Sequence, residues 1–149
     1  MKSYNGFSPA QRMKALKWLK ADKAAKGETM TPEMCEVCGQ EWGPLSYHSE
    51  DYSEPFGPHI GAYALCYICH MMIHCRFRNP VAWGEYKAAL KMGAIYRTYG
   101  RNNWTAFRRD FLSGPGIDRP YDVDPSRGKP ETLDDIDSKR LKSAQNGKG

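Results

Sequence analysis

The sequence predicts a small α+β domain that is braced by zinc, and three observations lead to this fold class. Two Cys-x-x-Cys pairs flank a run, LSYHSEDY, that can form a strand or a hairpin. Helix-start signals lie on either side of this region, at Ser8-Pro9 and Asn79-Pro80. Much of the 40% hydrophobic content is Ala, Tyr and Met rather than large aliphatic residues, and a domain with such a core gains stability from a metal.

Residues 1–30 are predicted to form a basic N-terminal helix. Ser8 is the expected N-cap, Pro9 the first helical residue, and Gln11 is placed to complete a capping box with Ser8. Gly27 is the expected stop, because glycine commonly lies just beyond a helix C-terminus.

Two further helices are predicted after the cysteine-rich region, and together they complete a domain of residues 31–112. The first covers about residues 81–92. The second covers about residues 103–112, where aromatic residues recur at helical spacing. These aromatic residues are Trp104, Phe107 and Phe111. Residues 113–149 are rich in Pro, Gly, Asp, Ser and Lys with few large apolar side chains, which predicts a mostly disordered tail.

The two cysteine pairs predict a structural zinc site. Each Cys-x-x-Cys turn offers two thiolates, and two such turns complete a tetrahedral shell. The predicted ligands are Cys35, Cys38, Cys66 and Cys69. Cys75 has no partner at ligand spacing and is expected to be a small buried side chain.

The histidines allow a second metal site. His70 and His74 are one helical turn apart and would lie on the same face of a helix following Cys69. His48, between the cysteine pairs, is the candidate for a third ligand. The alternative is a single zinc shell in which one histidine joins three of the cysteines.

Positive charge is concentrated in two parts of the chain, although the net charge is only +5. Basic residues dominate residues 2–26, and residues 87–109 contain no acid. Such a pattern indicates a polyanionic partner, most often nucleic acid, with a solvated helix face as the alternative. The candidate phosphate-binding residues are Lys14, Lys17, Arg97, Arg101, Arg108 and Arg109.

The sequence contains no run of transmembrane length, and its first residues lack the apolar core of a secretory signal. We therefore expect an intracellular, cytoplasmic protein without a membrane partner. In that compartment, paired cysteines are more often metal ligands than disulfide partners. The sequence leaves the oligomeric state open.

The order of motifs in residues 35–74 resembles the zinc-containing HNH endonucleases of phage and bacteria. It consists of Cys-x-x-Cys, then His-x-x-Asp-Tyr-x-x-Pro beginning at His48, then Leu-Cys-x-x-Cys-His-x-x-x-His ending at His74. The resemblance implies a treble-clef-like ββα-metal core, in which a hairpin carrying the catalytic histidine region packs on a helix carrying metal ligands. It also implies that cysteine zinc knuckles brace this core.

The resemblance further implies an endonuclease that hydrolyses DNA phosphodiester bonds with one divalent cation, which could be Mg²⁺, Mn²⁺, Ni²⁺ or Zn²⁺. By their positions in the motif, His48, His70 and His74 correspond to the residues that bind the cation in this family. The cation stabilises charge on the scissile phosphate and the leaving oxygen, while a strand histidine activates water.

Two positions depart from the family pattern. Ser49 occupies the place of the second histidine, which in the family acts as general base, and Gly61 aligns with the asparagine that gives the family its middle letter. A one-residue bulge could make His48 the base, with Glu50 or Asp51 taking a metal position. The candidate catalytic residues are therefore His48, Glu50 and Asp51, and the loop residue His59 is a further candidate base.

Two other functions compete with the endonuclease. Ser49 favours a non-catalytic, zinc-stabilised module that binds nucleic acid on a degenerate HNH scaffold. A zinc-stapled protein–protein adaptor is the third alternative, and it requires an exposed apolar patch.

Overall fold

A computed structural model describes residues 1–95, 104–107, 109, 122–123 and 129–139. These residues form a small mixed α/β structure. Its elements in chain order are α1 (Pro9–Ala25), β1 (Leu45–His48), β2 (Tyr63–Cys66), α2 (Tyr67–Cys75), α3 (Pro80–Lys91), β3 (Ala94–Ile95), α4 (Trp104–Phe107), β4 (Asp122–Val123) and α5 (Glu131–Ser138). Within the described part of the chain, no helix is both long and apolar enough to cross a bilayer.

The N-terminal helix α1 begins as predicted. Gln11 donates its backbone N–H to the Ser8 hydroxyl, and Ser8 donates its own N–H to the Gln11 side chain, which completes the capping box. The helix ends at Ala25, and Gly27 follows with a φ of 70° that suits glycine. Its buried residues Ala15 and Leu19 pack against the long connection between β1 and β2.

The predicted hairpin is present. Strands β1 and β2 pair antiparallel, with Leu45 opposite Cys66 and His48 opposite Tyr63. Helix α2 follows β2 directly, and Cys66 is its N-cap residue. The hairpin and α2 are therefore adjacent, and the histidines of both elements lie on neighbouring surfaces.

The main core lies between the hairpin and the helices α2, α3 and α5. Helix α3 covers nearly the predicted span, with the Asn79 side chain accepting a hydrogen bond from Ala82 N at 3.2 Å. Its aromatic residues Trp83 and Tyr86 are buried. This packing fixes α3 against the helix that carries the candidate ligands.

The prediction of a disordered tail is wrong for residues 131–138. These residues form α5, in which Leu133 and Ile136 are completely buried in the main core. Just before the helix, the Lys129 N–H donates to the carbonyls of Glu36 and Val37 at 2.7 and 3.1 Å. Two apolar side chains one turn apart are enough to hold this short helix, because they pack against a core that the rest of the domain already forms.

The structure describes little of the predicted third helix. Only α4, Trp104–Phe107, and Arg109 belong to the described residues of that span. Most of residues 113–149, apart from β4 and the region of α5, also lies outside them.

Candidate metal centres

The first cysteine pair lies in a tight turn that is joined to the hairpin. Gly39 donates its N–H to the Cys35 carbonyl at 2.8 Å and has a φ of 79°, which glycine adopts without strain. The Glu36 N–H donates to the Ala64 carbonyl at 2.9 Å, and the Ala64 N–H donates to the Glu36 carboxylate at 3.1 Å. These bonds place the turn beside the end of β2.

All four predicted cysteine ligands come together and are buried. Their sulfur atoms lie within 4.8 Å of one another. The Sγ atoms of Cys38 and Cys66 are 3.7 Å apart, close to the edge of about 3.8 Å expected for a tetrahedron with Zn–S bonds of about 2.3 Å. The four cysteines could therefore hold a structural metal such as zinc.

The ionisation of these thiols also suits a cation. Burial would raise the pKa of Cys35, but hydrogen bonds from the three other thiols hold it well below its usual value. The pKa of Cys66 is raised by its hydrogen bonds with the first pair, and burial raises the pKa of Cys69. Burial and contact with neighbouring thiols therefore oppose ionisation of Cys66 and Cys69, and a bound cation would offset this cost.

A buried tyrosine of α3 contacts this cluster. The hydroxyl of Tyr86, which is 1% exposed, lies 3.1 Å from Cys69 Sγ and can donate to it. Such contacts orient and stabilise metal ligands. Cys75 lies outside the cluster, is buried, and has Arg78 Nη2 at 3.2 Å from its sulfur.

The three predicted histidine ligands form a second group on a different face of α2. One ring nitrogen from each of His48, His70 and His74 lies within 4.8 Å of the others. The Nε2 atoms of His70 and His74 are 3.1 Å apart. Neighbouring nitrogens of one coordination shell are about 3.0–3.4 Å apart when each bond is about 2.1 Å. This group could hold a second metal ion.

Hydrogen bonds orient two of these rings. His70 Nδ1 lies 3.0 Å from the Ser46 hydroxyl, so that a proton on Nδ1 leaves the Nε2 lone pair available. His48 Nε2 lies 2.5 Å from Glu50 Oε2. The role of Ser46 was not predicted from the sequence. Its position two residues before His48, which places both side chains on one face of the strand, is the signal that could have indicated it.

The histidines are held in the neutral form. Burial, followed by the neighbouring imidazoles and Arg12, lowers the pKa of His74 to about 2. Burial and then the charges of His48 and Arg12 lower the pKa of His70 to about 3. Burial also lowers the pKa of His48. Neutral imidazoles are the metal-binding form, so these rings are available as ligands without loss of a proton.

Glu50 is at the centre of a buried polar network. Its carboxylate accepts hydrogen bonds from Tyr4 OH and Arg76 Nη2 as well as from His48. The Asn5 side chain donates to the Glu50 carbonyl at 2.8 Å. Burial would raise the pKa of Glu50, but His48 and then Arg76 hold it below its usual value. The carboxylate is therefore ionised and holds the His48 ring.

The other candidate catalytic residues lie apart from the histidine group. Ser49 is buried, and its hydroxyl accepts the Gly61 N–H at 2.6 Å, which connects the two ends of the long loop. Asp51 accepts the Ser53 N–H at 2.8 Å. His59 Nε2 donates to the Ser53 carbonyl at 2.8 Å. The structure thus brings His48 and Glu50 together and leaves Asp51 and His59 in the loop.

Three of the predicted phosphate-binding residues are described. Lys14 and Lys17 are exposed on α1, and Lys14 forms an ion pair with Glu54 at 2.7 Å. Arg109 is also exposed. Arg97, Arg101 and Arg108 lie outside the described residues.

Comparisons of the chain with protein-family models, with curated proteins and with solved structures give no match. The similarity to HNH endonucleases therefore rests on the motif residues alone. What the geometry shows is a small mixed α/β domain with one buried four-cysteine group and one three-histidine group.

Proposed function

We propose that this protein is a metal-dependent endonuclease of HNH type that hydrolyses DNA phosphodiester bonds. The observation that carries the proposal is the convergence of His48, His70 and His74 beside the ionised Glu50. The zinc cluster on the same helix would hold α2 and the hairpin in register, because Cys66 and Cys69 belong to the segment that also carries His70 and His74.

The proposed division of roles follows from the contacts. His70 and His74 present neutral Nε2 atoms to one point, and Ser46 orients the first of them. His48 completes the ligand set, and Glu50 fixes its ring. A divalent cation bound there would stabilise negative charge on the scissile phosphate and the leaving oxygen. Ser49 is assigned no role in this division, and its hydroxyl accepts the Gly61 N–H.

A second assignment gives His48 the role of general base and leaves the cation on His70 and His74. The Glu50–His48 contact is compatible with it, since a carboxylate beside an imidazole stabilises the protonated ring. His48→Ala separates the two assignments. If the variant loses both the second metal and DNA cleavage, His48 is a metal ligand. If it keeps the second metal but no longer cleaves DNA, His48 is the general base.

Substrate binding in this proposal depends on surface charge. The exposed Lys14 and Lys17 of α1 would contact backbone phosphates, together with Arg97, Arg101, Arg108 and Arg109. Such contacts position the nucleic acid without reading its sequence, and they weaken as salt increases.

The competing proposal is a nucleic-acid-binding module without activity. It is favoured by the serine at the position of the expected base and by the burial of His48, which is only 2% exposed. In that case the histidine group would hold a second structural metal.

Plasmid cleavage tests the proposal. The purified protein is incubated with supercoiled plasmid and Mg²⁺, Mn²⁺, Ni²⁺ or Zn²⁺, beside His74→Ala and the loop control His59→Ala. Both variants keep the four cysteines. Nicking by the parent and by His59→Ala, but not by His74→Ala, supports the endonuclease. Absence of cleavage with every metal, combined with salt-sensitive DNA binding, supports the module.

A further inference from the structure

A small cavity lies beside the histidine group, between α1 and the hairpin. Its lining includes Arg12, Tyr52, His48 and His70. Its volume is about 120 Å³, well below the roughly 300–1,000 Å³ of pockets for drug-sized ligands. The cavity therefore suits one small chemical group and not a whole nucleoside.

Arg12 is held in a fixed position at this cavity. Its guanidinium carbon lies 5.3 Å from the centre of the Tyr4 ring and 5.2 Å from that of the Tyr52 ring. Its Nη1 donates to the Lys2 carbonyl at 2.5 Å. Stacking and hydrogen bonding together restrict the side chain, so that little conformational entropy remains to be lost when a ligand binds.

The hydrogen-bonding capacity of Arg12 is only partly used. Its Nε atom is buried and has no hydrogen-bond partner among the described residues. Within the same part of the chain, Arg12 forms no ion pair with a carboxylate, whereas the buried Arg76 pairs with Glu50. A guanidinium without a carboxylate partner among these residues, beside the imidazoles of His48 and His70, gives this cavity the positive charge that an anion requires.

We propose that this cavity binds one phosphate group of the nucleic-acid backbone, with Arg12 as its protein ligand. The inference rests on the proposed function and adds to it a residue outside the motif that resembles the HNH family. The planar guanidinium offers several N–H donors in the geometry that phosphate oxygens accept. The neighbouring histidine group places that phosphate next to the proposed cation.

Arg12 would then act differently from the lysines of the same helix. Lys14 is exposed and already paired with Glu54, so its contribution is a diffuse charge. Arg12 would fix the phosphate at one point. Replacing Arg12 should therefore change both phosphate affinity and the rate of cleavage, whereas replacing Lys14 should change mainly the salt dependence of DNA binding.

Inorganic phosphate is the probe, titrated calorimetrically into the zinc-loaded protein. The variants are Arg12→Met, Arg12→Lys and the matched control Lys20→Met, which removes an exposed lysine of the same helix; each is first checked for an unchanged circular dichroism spectrum. Arg12→Met should weaken phosphate binding about tenfold or more, as expected for loss of a charged hydrogen bond. The phosphate affinity of Arg12→Lys should lie between those of the parent and Arg12→Met, because lysine keeps the positive charge but lacks the planar set of N–H donors. Lys20→Met should bind phosphate with the affinity of the parent.

The inference is overturned if the parent does not bind phosphate, if Arg12→Met binds it as well as the parent, or if Lys20→Met loses as much affinity as Arg12→Met. Plasmid nicking separates this result from the proposed function. Phosphate binding that depends on Arg12 in a protein that nicks no plasmid would support the anion site and reject the endonuclease. Nicking that is unchanged in Arg12→Met would support the endonuclease and reject the anion site.

Discussion

The imidazoles of His70 and His74 face each other across one turn of α2, with their Nε2 atoms 3.1 Å apart. The same helix carries Cys69, and its N-cap is Cys66, so that one short segment contributes to both candidate metal groups. The four cysteines and His48 are buried, whereas His70 and His74 are only partly covered. We therefore expect the buried cysteine group to contribute more to stability than the partly covered His70 and His74.

Substitutions in the two groups should therefore have unequal effects on folding. Cys66→Ser removes a ligand from a buried cluster and should unfold the domain, because a structural zinc contributes directly to folding free energy. His70→Ala should leave the domain folded. Circular dichroism and thermal unfolding measure both variants. Equal collapse of the two would contradict the division into two sites.

The buried pair of Arg76 and Glu50 should be sensitive to loss of either partner. Arg76→Met leaves the Glu50 carboxylate buried without its arginine partner, and it should lower the free energy of unfolding by about 3–5 kcal/mol. The control is Lys26→Met, which breaks the exposed pair with Asp22 and should cost less than about 1 kcal/mol. Urea denaturation gives both values. Similar small losses in the two variants would show that the network contributes little.

Helix α5 should be part of the cooperative fold. Leu133 is 0% exposed, and Leu133→Ala should lower the free energy of unfolding by about 2–5 kcal/mol. Asp134, on the exposed side of the same helix, pairs with Lys91 at 2.7 Å. Asp134→Ala should cost less than about 1 kcal/mol. If Leu133→Ala is as stable as Asp134→Ala, the helix does not pack on the core in solution.

In the absence of metal, acid should destabilise the folded protein through His70 and His74. In the folded chain the pKa of His70 is lowered to about 3 and that of His74 to about 2, so an unfolded chain with pKa values of about 6.5 binds more protons. This stabilising contribution is complete above about pH 6.5 and decreases as the pH falls below it. Unfolding of His74→Gln should therefore depend less on pH between about 7.5 and 5.5 than unfolding of the His59→Gln control. Identical pH dependence of the two variants would show that His74 does not titrate in this way.

Local signals in the sequence account for much of the fold. The capping box of Ser8 and Gln11, the cap at Asn79 and the spacing of the cysteines each involve residues close in sequence, and α1, α3 and the four-cysteine group follow the prediction. Helix α5 could not be predicted in this way. Its buried face is short, and it is stabilised by tertiary contacts, including the hydrogen bonds from Lys129 to the first cysteine turn.

The candidate site shows the same limit. Helical spacing placed His70 and His74 together, and the hairpin placed His48 near them. The network around Glu50 was not predictable, because Tyr4 and Arg76 are distant from it in sequence. A buried arginine and a buried tyrosine have no local pattern that distinguishes them from surface residues. Only the fold shows that they stabilise one carboxylate.

The most direct test of two separate metal groups is the number of metal ions per chain, measured by native mass spectrometry after incubation with Zn²⁺ or Mn²⁺ and removal of excess metal. The parent should bind two ions, one for each group. His74→Ala should bind a single ion, retained by the four cysteines. A parent that binds a single ion, with His74→Ala unchanged, would contradict the account, and so would a His74→Ala variant that binds none.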